Sequence, residues 1–461
     1  MAALVSRIKN VPARNLYRCL SSKANNEPAQ AVKGMKDRFG DENRRFQWIT
    51  EKGVRLANLY GFEQITTPIL EYSKVFERTL GEDSDVVGKE LYKFVDKGED
   101  QLTMRPEGTA GITRALISQR LHHSLPQKYY YYGPMFRRER QQKGRLRQFE
   151  QFGVELYGQS HASSDVEVIE LASAFLRSLG LKNVTLEINS LGDNDSRTKY
   201  REALRDYLFN HKEGLSEDSV NRLSKNPLRI LDSKAPQDIK ILGNCPILSD
   251  YLSASSQQRF SFITETLSHL DIPFTVNPKL VRGLDYYQET VFEFKVSSPE
   301  LGPQQGTVLA GGRYDGLVEK MGGIAGVPSI GWAAGLERLS LLLKDEDIPS
   351  KPRPVVVIPV PGPKDYPADK SHPSPSELHS HAMGICTALR QEGIRVEFLH
   401  LTGTKYQTPR QLARANELNA SHAILIGSDE MSKGVVTLKT KSEQRQCRVD
   451  ELIEELQSLR F

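Results

Sequence analysis

The amino-acid sequence predicts an α+β domain built on a largely antiparallel sheet, followed by a smaller α/β domain. Residues 31–344 mix helical and strand patterns without regular alternation, and two of the strands are predicted to form a hairpin. The segment DEDIPSKPRP, residues 345–354, is polar and rich in proline, as linkers between domains are. Beyond it, in residues 355–461, strands and helices alternate, which indicates a mainly parallel sheet.

The elements of the first domain follow from residue periodicity and turn residues. DENRRFQWITEKGVRLANLYG has the apolar spacing of a helix that ends at Gly61, and FEQITTPIL predicts a strand that ends near Pro68. KYYYYGPMFRRE and QFEQFGVELYG, on either side of the charged loop RQQKGRLR, predict an antiparallel hairpin. Further strands are predicted at VTLEI, TVFEF and GTVLAGG, and GWAAGLERLSLLL predicts a helix that opens with Gly335.

Residues 193–271 are predicted to form a helical module inserted between strands of this sheet, because DSRTKYREALRDYLFNHK and SDYLSASSQQRFSFITETLSHL have helical spacing. In the second domain, strands are predicted at VVVIPV, RVEFL, HAILIG and VVTLKT. Helices are predicted near residues 377–392, in TPRQLARANELN and in the closing DELIEELQSLR. The proline-rich residues 361–376 predict a surface loop.

Residues 1–30 have the composition of a mitochondrial transit peptide. The segment carries five basic side chains before its first acid, and Arg7, Arg14 and Arg18 are spaced to share one helical face. The alternative is a disordered basic tail, because Pro12 would interrupt a continuous helix. We expect the protein to be located in the mitochondrial matrix. The sequence leaves open whether a cytoplasmic form exists in addition. Since the net charge of the whole chain is +4, the remainder is close to neutral, and any anion-binding surface in it is local.

Cysteine and hydropathy patterns exclude several classes of protein. The four cysteines lie far apart in the sequence and form no CxxC pair. They are Cys19, Cys245, Cys386 and Cys447. Neither a zinc site nor a disulfide framework is therefore predicted, and a reducing compartment fits best. No apolar run approaches the roughly 20 residues of a membrane helix, so no membrane partner is expected.

The stretch FRRERQQKGRLRQFEQFG, residues 136–153, concentrates positive charge on the predicted hairpin. Its first twelve residues contain one acid, Glu139, and six cations, which are Arg137, Arg138, Arg140, Lys143, Arg145 and Arg147. Unpaired guanidinium groups are costly to bury, so these side chains must face water or an anion. Charge alone favours a solvated surface or non-specific attraction of nucleic acid.

Four further motifs favour a specific anion site: TMRPEGT, LVRGLDYYQETVFEF, LAGGRYDGLV and GWAAGLERLSLLL. They place cations, an acid, aromatic rings and paired glycines at predicted turns and element ends, at Arg105, Glu107, Arg282, Tyr286, Tyr287, Gly311, Gly312 and Arg338. Guanidinium groups bind phosphate oxygens bidentately and can stabilise charge on a transferred group. The chain has no GxxxxGK[ST] motif and no HRD and DFG pair, which excludes P-loop enzymes and protein kinases. We therefore expect an arginine-based triphosphate site on an antiparallel sheet.

From about Val32 to its end, the chain closely resembles class II histidyl-tRNA synthetases of the bacterial and organellar type. The resemblance rests on YGPMFRRERQQKGRLRQFEQFGVE, LVRGLDYYQETVFEF, AGGRYDGLV and GWAAGLERLSLLL, of which the two middle motifs are specific to histidine within class II. The arginine hairpin resembles motif 2, GLERL resembles motif 3, and GFEQITTPILEY resembles the dimer-forming motif 1 around Pro68. The resemblance implies a class II catalytic domain, a C-terminal anticodon-binding domain and a homodimer. It also implies ATP-dependent attachment of L-histidine to tRNA-His through histidyl-adenylate.

The resemblance implies how ATP is bound. Arg137 is expected to hold the α-phosphate and the substrate carboxylate, and Arg338 the γ-phosphate, with the adenine between Phe149 and Arg338. Arg282 is expected to stabilise negative charge as the histidine carboxylate attacks the α-phosphate, where other class II enzymes rely on metal. Mg²⁺ is expected to accompany ATP by bridging phosphate oxygens, and the sequence leaves its protein ligands open.

The resemblance also implies a histidine pocket. Its members are Glu107, Gly108, Thr109, Arg137, Gln151, Glu155, Arg282, Tyr286 and Tyr287. Glu107, Thr109 and Gln151 are expected to bind the α-amino group. Glu155 and Tyr287 are expected to bind the imidazole, with Tyr286 beside them. A carboxylate and a phenol suit an imidazole, because one ring nitrogen donates to the carboxylate while the other meets a hydroxyl.

Contacts to tRNA are expected in both predicted domains. In the loop QQKGR, the resemblance implies that Gln142 and Arg145 contact the additional guanosine at the 5′ end of tRNA-His or its partner base. Many relatives have proline where this chain has Gln141. In the C-terminal domain, the candidate contacts to the anticodon are Lys405, Arg410 and Arg414. The alternative for these three is an ordinary solvated helix surface.

Two other functions are compatible with parts of the pattern. Some members of the family are non-catalytic regulatory subunits of histidine biosynthesis, which typically lose part of the ATP clamp and the anticodon-binding domain. This chain retains Arg137, Arg282 and Arg338, and its last hundred or so residues fit that domain. A class II synthetase for threonine, proline or glycine is the second alternative, and RGLDYY and AGGRYDGL argue against it.

Overall fold

The computed structural model describes residues 29–81, 86–140, 142–302, 306–360, 373–400 and 408–456. The chain divides into two compact units between Ile348 and Pro349. Nearly all of the predicted transit peptide lies outside the described residues, as do Gln141, Lys405 and most of the proline-rich loop. Within the described residues, no helix is both long enough and apolar enough to cross a membrane.

Unit 1 contains a large sheet and a small one. Its strands are β1 (Glu63–Gln64), β2 (Leu70–Tyr72), β3 (Lys93–Val95), β4 (Gln101–Met104), β5 (Gln127–Phe136), β6 (Gln148–Tyr157), β7 (Val184–Ser190), β8 (Phe274–Val276), β9 (Gln288–Val296), β10 (Thr307–Arg313) and β11 (Ser329–Gly335). Its α-helices are α1 (Gly40–Leu59), α2 (Ser73–Leu80), α3 (Thr109–Ser118), α4 (Ser163–Ser178), α5 (Asn194–Asn210), α6 (Glu217–Leu223), α7 (Pro236–Ile241), α8 (Ala254–His269), α9 (Leu317–Lys320) and α10 (Leu336–Leu342).

The large sheet confirms the predicted α+β class. Its strand order is β1-β5-β6-β11-β10-β9-β7-β8, and neighbours are antiparallel except at its two ends, where β1 with β5 and β7 with β8 run parallel. The predicted hairpin is confirmed as β5 and β6, paired from Gln127 opposite Tyr157 to Phe136 opposite Gln148. The helical insertion is confirmed as well, because α5 to α8 lie between β7 and β8 in the chain.

Two local predictions were wrong. FEQITTPIL is not one strand: β1 ends at Gln64 and β2 begins at Leu70. Pro68 has no amide hydrogen for a ladder, and the carbonyl of Thr67 accepts a 2.9 Å hydrogen bond from the Arg105 guanidinium. GWAAG forms strand β11, so the following helix opens at Leu336 and not at Gly335.

Side chains alternate across the large sheet and form a core on each face. On β5, Tyr130 packs into the core with Phe152, while Tyr129 and Tyr131 pack into the opposite core with Tyr157. Helices α1, α4 and α10 contribute to the first core, and α2, α3 and α5 contribute to the second. The second core also contains the tyrosines of RGLDYY, so the predicted histidine pocket belongs to that face.

Unit 2 confirms the predicted α/β class. Its strands are β12 (Val355–Pro359), β13 (Val396–Phe398), β14 (His422–Ile426), β15 (Val435–Lys439) and β16 (Gln444–Arg448), and its helices are α11 (Pro375–Gln391), α12 (Thr408–Glu417), α13 (Ser428–Lys433) and α14 (Val449–Glu455). The sheet order is β13-β12-β14-β15-β16, with parallel pairs on both sides of β12 and antiparallel pairs beyond β14. Strand β16 was not predicted, because its sequence QRQCR is polar and buries only Cys447.

Candidate active site

A cavity of about 650 Å³ opens in unit 1 beside β6, β9, β10 and α10. It brings together side chains that were predicted to bind ATP or the reacting groups, which are Arg137, Phe149, Gln151, Arg282 and Arg338. These residues come from the hairpin, the RGLDYY motif and the last helix of the unit. The cavity is therefore large enough for a nucleotide-sized ligand and is lined by guanidinium groups, as a polyphosphate site requires.

Arg137 follows directly after β5 and is oriented by the backbone. Its Nε donates a 2.9 Å hydrogen bond to the carbonyl of Pro106, and its guanidinium lies 5.3 Å from the centre of the Phe149 ring. Its partner Glu139 is 3.8 Å away, which is longer than a hydrogen bond. The terminal nitrogens of Arg137 can therefore bind an anion that enters the cavity.

Arg338 lies in the first turn of α10 and is half-buried. Its Nη1 donates a hydrogen bond to the carbonyl of Thr307. Burial and the neighbouring Arg145 lower the pKa of the Arg338 guanidinium to about 10. The cations repel one another in a partly desolvated site, so a bound polyanion would be favourable here.

The start of α3 holds a buried acid. The carboxylate of Glu107 accepts hydrogen bonds from the amides of Thr109 (2.9 Å) and Ala110 (2.8 Å), so it occupies the unpaired amides of the first helical turn. Burial raises the pKa of Glu107, and these hydrogen bonds oppose the rise. Gly108 has no side chain and lies against the Tyr131 ring.

A second acid, Glu155 on β6, lies in the same region and is 1% exposed. Its carboxylate accepts a 2.6 Å hydrogen bond from the hydroxyl of Thr109 and another from the hydroxyl of Tyr314. Burial raises the pKa of Glu155 to about 8, and the nearby Glu107 adds to the rise. On β11, Gly331 pairs with Glu155, and a Cβ at this glycine would overlap the carboxylate. The two acids lie close enough to interact, and within the described residues neither forms an ion pair, although the Arg137 guanidinium partly offsets the raised pKa of Glu107.

Three tyrosines enclose these acids. Tyr286 and Tyr287 are buried with ring centres 4.6 Å apart, and the Tyr314 ring lies 5.5 Å and 6.2 Å from them. The backbone approaches its neighbours closely at the second of the paired glycines, because a Cβ on Gly312 would overlap Tyr287 and a carbonyl of β9. The pocket thus combines carboxylates with phenols, as an imidazole requires.

Some of the buried polar atoms that lack a hydrogen-bond partner lie at this site, and others lie elsewhere in both units. Within the described residues, the Tyr131 hydroxyl, the Gln151 Oε1 and the Arg282 Nε are buried and make no hydrogen bond. Gln151 and Arg282 line the cavity, and Tyr131 interacts electrostatically with both Glu107 and Glu155. Because buried polar groups are almost always satisfied, these atoms indicate a polar ligand.

The sequence prediction missed two residues of the pocket, Tyr131 and Tyr314. Tyr131 follows from the alternation of the YYYY run, which sends every second ring to the pocket face. Tyr314 follows Arg313, whose fully buried guanidinium donates to the carboxylate of Asp165 at 2.6 Å and 3.1 Å. This buried pair fixes the end of β10 and with it the position of Tyr314. Arg105 has a structural role, because it donates to the carbonyls of Pro134 and Thr67.

The candidate tRNA contacts are less constrained by the structure. Arg145 donates its amide to the carbonyl of Gln142 at 2.9 Å, which closes a tight turn, and its guanidinium pairs with Glu139 at 3.0 Å. In unit 2, Arg410 lies on α12 together with Arg414, which pairs with Glu417 at 2.8 Å. That pair is the arrangement of a solvated helix surface. Lys405 lies outside the described residues.

Comparison with protein families identifies both units. The model of the histidyl-tRNA synthetase family matches residues 34–339, and that of the anticodon-binding domain matches residues 354–459. A histidine-tRNA ligase of Gluconacetobacter diazotrophicus is 45% identical over 425 residues, which cover 91% of this chain and 96% of that protein. The histidine-tRNA ligase of Rhodospirillum rubrum is 46% identical over 411 residues, covering 89% and 94%.

Solved structures show the same likeness. The apo histidyl-tRNA synthetase of S. aureus superimposes with a TM-score of 0.75 at 30% identity, covering 93% of this chain and all of that one. A Bacillus halodurans protein described as an ATP phosphoribosyltransferase regulatory subunit/histidyl-tRNA synthetase shares the fold, with a TM-score of 0.60 at 23% identity over 87% of this chain and 99% of that one.

Proposed function

Since this chain belongs to the histidyl-tRNA synthetase family, we propose that it is a histidine-tRNA ligase that couples L-histidine to tRNA-His at the expense of ATP. The reaction proceeds through histidyl-adenylate. The observation that carries the proposal is the buried, acid-containing tyrosine pocket beside a cavity lined by arginines. Such a cavity suits a triphosphate, and such a pocket suits an amino acid with a basic ring.

In the adenylation step, the arginines act as fixed positive charges. Arg137 binds the α-phosphate and the histidine carboxylate, and Arg338 binds the γ-phosphate while its guanidinium and Phe149 enclose the adenine. Arg282 stabilises the charge that develops as the carboxylate attacks the α-phosphorus, the bond from this phosphorus to the α–β bridging oxygen breaks, and pyrophosphate leaves. The three side chains line one cavity, so a single bound ATP can reach all of them.

Histidine recognition follows from the two buried acids. Glu107 and Glu155 have raised pKa values because burial disfavours their charge, so a ligand that brings positive or donor groups stabilises the site. The α-ammonium group binds near Glu107, Thr109 and Gln151, and the imidazole binds Glu155 and Tyr287. An amino acid without these donors leaves buried acceptors unpaired, which gives strong discrimination without editing.

Magnesium would enter this site bound to ATP. Among the described residues, no three His, Cys, Asp or Glu side chains are grouped to hold a metal ion. The acids that line the cavity each already contact a basic side chain, and they are Glu139, Asp232, Glu293 and Glu337. Phosphate oxygens would therefore supply most of the ligands, and the ion would neutralise part of the triphosphate charge.

The partner of the second step is tRNA-His. Residues 354–459 match the anticodon-binding domain, which supports binding of the anticodon end of the tRNA by unit 2. In unit 1, the turn with Gln142 and Arg145 borders the cavity through Arg145, which supports a role for this turn in binding the acceptor end. Arg410 and Arg414 are the described candidates for contacts to the anticodon.

ATP-pyrophosphate exchange, measured with each of the twenty amino acids, tests the function. We expect exchange with histidine alone, followed by charging of tRNA-His and of no other tRNA. If a folded sample exchanges with no amino acid, the regulatory-subunit alternative gains support. Exchange with a different amino acid would contradict the assignment of the pocket.

A homodimer is the second part of the proposal. Leu70, Tyr72 and Phe94 lie on one face of the small sheet, by their register with β4, and are 44%, 50% and 41% exposed. A second copy of this chain would cover this apolar face.

Light scattering should show a dimer that Phe94→Glu dissociates. Val276→Glu, on the exposed edge strand β8, is the matched control and should leave it intact. A monomeric wild-type protein would contradict the proposal.

The mitochondrial matrix is the proposed location. The support is the composition of residues 1–30 and the start of the family match at residue 34. Fusing residues 1–30 to a fluorescent protein should direct it into mitochondria, and replacing Arg7, Arg14 and Arg18 with serine should abolish import. Diffuse fluorescence of the unchanged fusion would contradict a targeting role.

A further inference from the structure

Two of the arginines that line the cavity are held by one pair of neighbouring residues, Glu293 on β9 and Thr307 at the start of β10. The Nη1 of Arg282 donates to the Oε1 of Glu293. The hydroxyl of Thr307 donates to the Oε2 of Glu293 at 2.7 Å, and the carbonyl of Thr307 accepts from Arg338. A continuous chain of hydrogen bonds therefore joins Arg282 to Arg338 across the cavity wall.

The middle of this chain is shielded from water. The side chain of Glu293 is 14% exposed and that of Arg282 is 17% exposed. Lys295, two residues along β9, lies 3.6 Å from Glu293 and 2.7 Å from Glu187, so it balances charge without replacing Arg282. Because hydrogen bonds of charged groups are stronger when desolvated, the position of Arg282 depends on how Glu293 is held.

Thr307 links the two arginines. Its hydroxyl donates to Glu293, which holds Arg282, and its carbonyl accepts from Arg338, so a movement of Thr307 would change the contacts of both arginines. The pairing of β9 with β10 is irregular between Thr307 and Leu309, which lets the start of β10 adjust without disturbing the rest of the ladder. When Arg338 turns towards a phosphate, Thr307 loses a donor and its hydroxyl can reorient at Glu293.

We propose that Glu293 and Thr307 are positioning residues that couple ATP binding at Arg338 to the placement of Arg282 beside the histidine carboxylate. The inference rests on the proposed function and adds a regulatory link within the same site. Because binding free energies are reciprocal, histidine must then change the affinity for ATP by the same factor as ATP changes the affinity for histidine. The simpler alternative is that Glu293 only neutralises Arg282, in which case Thr307 has no effect.

The test compares Thr307→Val, Glu293→Gln and the double variant. Valine keeps the shape and the backbone carbonyl of Thr307 and removes only the hydroxyl. The coupling factor is the affinity for α,β-methylene-ATP with histidine divided by that without it, measured by calorimetry. We expect a factor on the order of 10 for the wild-type protein, and a factor near 1 for both single variants and the double variant. Thr307→Ser, which keeps the hydroxyl, should restore the wild-type factor.

Thr264→Val is the matched control, because its hydroxyl bonds only within helix α8 and lies outside the cavity. It should retain the wild-type coupling and exchange activity. A wild-type factor near 1, an unchanged factor in Thr307→Val, or losses that multiply in the double variant would each overturn the proposal. Absence of histidine-dependent exchange in the wild-type protein would instead overturn the proposed function, so the two failures are distinguishable.

Discussion

Replacing Arg282 with alanine is expected to reduce histidine-dependent ATP-pyrophosphate exchange by about 10²–10³-fold while the protein stays folded. The guanidinium lines the cavity, and its buried Nε has no partner among the described residues, so a substrate oxygen can complete its hydrogen bonds. Such an interaction forms fully only when charge develops on the reacting groups. The loss should therefore lie mainly in kcat, and exchange kinetics with varied histidine and ATP measure it.

The variant also leaves Glu293 without its main partner, and a buried unpaired carboxylate can destabilise the fold. The double variant Arg282→Ala and Glu293→Gln removes that charge. If the activity loss comes from the guanidinium, the double variant regains thermal stability and stays inactive. Arg177→Ala, which removes an exposed arginine on α4 paired with Glu170, is the matched control. Near-normal exchange by Arg282→Ala would exclude Arg282 from the chemistry.

The parts of the fold that local sequence predicted are those in which local chemistry and tertiary environment agree. The β5 and β6 hairpin has aromatic strands on both sides of a polar loop that contains Gly144, whose φ of +73° suits glycine. FEQITTPIL has strand-forming residues, yet it does not form one strand. The carbonyl of Thr67 accepts a hydrogen bond from the Arg105 guanidinium, and Pro68 has no amide hydrogen to donate to a neighbouring strand. Strand β16 is polar and is held by its pairing with β15 and by the burial of Cys447. The hydrogen bond from Arg105 and the pairing of β16 are tertiary contacts that a local pattern does not show, whereas Pro68 is a visible signal for the end of a strand.

The site was predictable in its residue types and not in its geometry. Glu155 and Gly331 are far apart in sequence, and only the register of β6 against β11 shows that the glycine makes room for the carboxylate. Tyr314 lies within the motif AGGRYDGLV, but no role could be assigned to it until the sheet brought its hydroxyl to Glu155. The family resemblance supplied the assignment of roles that spacing alone could not give.

Glu155→Gln is expected to raise the KM for histidine by about 100-fold and to leave the KM for ATP nearly unchanged, because the lost interaction is a charged hydrogen bond to the imidazole. The same change is expected to stabilise the unliganded protein at alkaline pH. Opposite effects on binding and stability are the signature of a residue kept for its ligand and not for the fold. Exchange kinetics and urea denaturation measure the two effects.

The sign of the stability effect follows from the pKa. Burial raises the pKa of Glu155 in the folded protein from 4.5 to about 8, so the folded state favours the protonated acid. This preference contributes its full stabilisation below about pH 4.5, and the contribution is lost as the pH rises through about 8. Glutamine stays neutral throughout. The free energy of unfolding of the variant should therefore exceed that of the wild type by on the order of 2–4 kcal/mol at pH 9, with little difference at pH 4.5.

Other buried or partly buried acids also have raised pKa values, notably Glu107, Glu289 and Glu337, so the wild-type protein should lose stability with rising pH for several reasons. Only the difference between variant and wild type isolates Glu155. Glu167→Gln on α4, whose carboxylate pairs with Lys128 at 2.6 Å near the surface, is the matched control and should show no alkaline gain. A difference between Glu155→Gln and wild type that is equal at pH 4.5 and pH 9 would mean that packing, and not the buried charge, sets the energy of this pocket. If the prediction holds, adding histidine at neutral pH should make the wild-type protein more stable than Glu155→Gln. The reason is that a bound ligand stabilises only the protein that still recognises it.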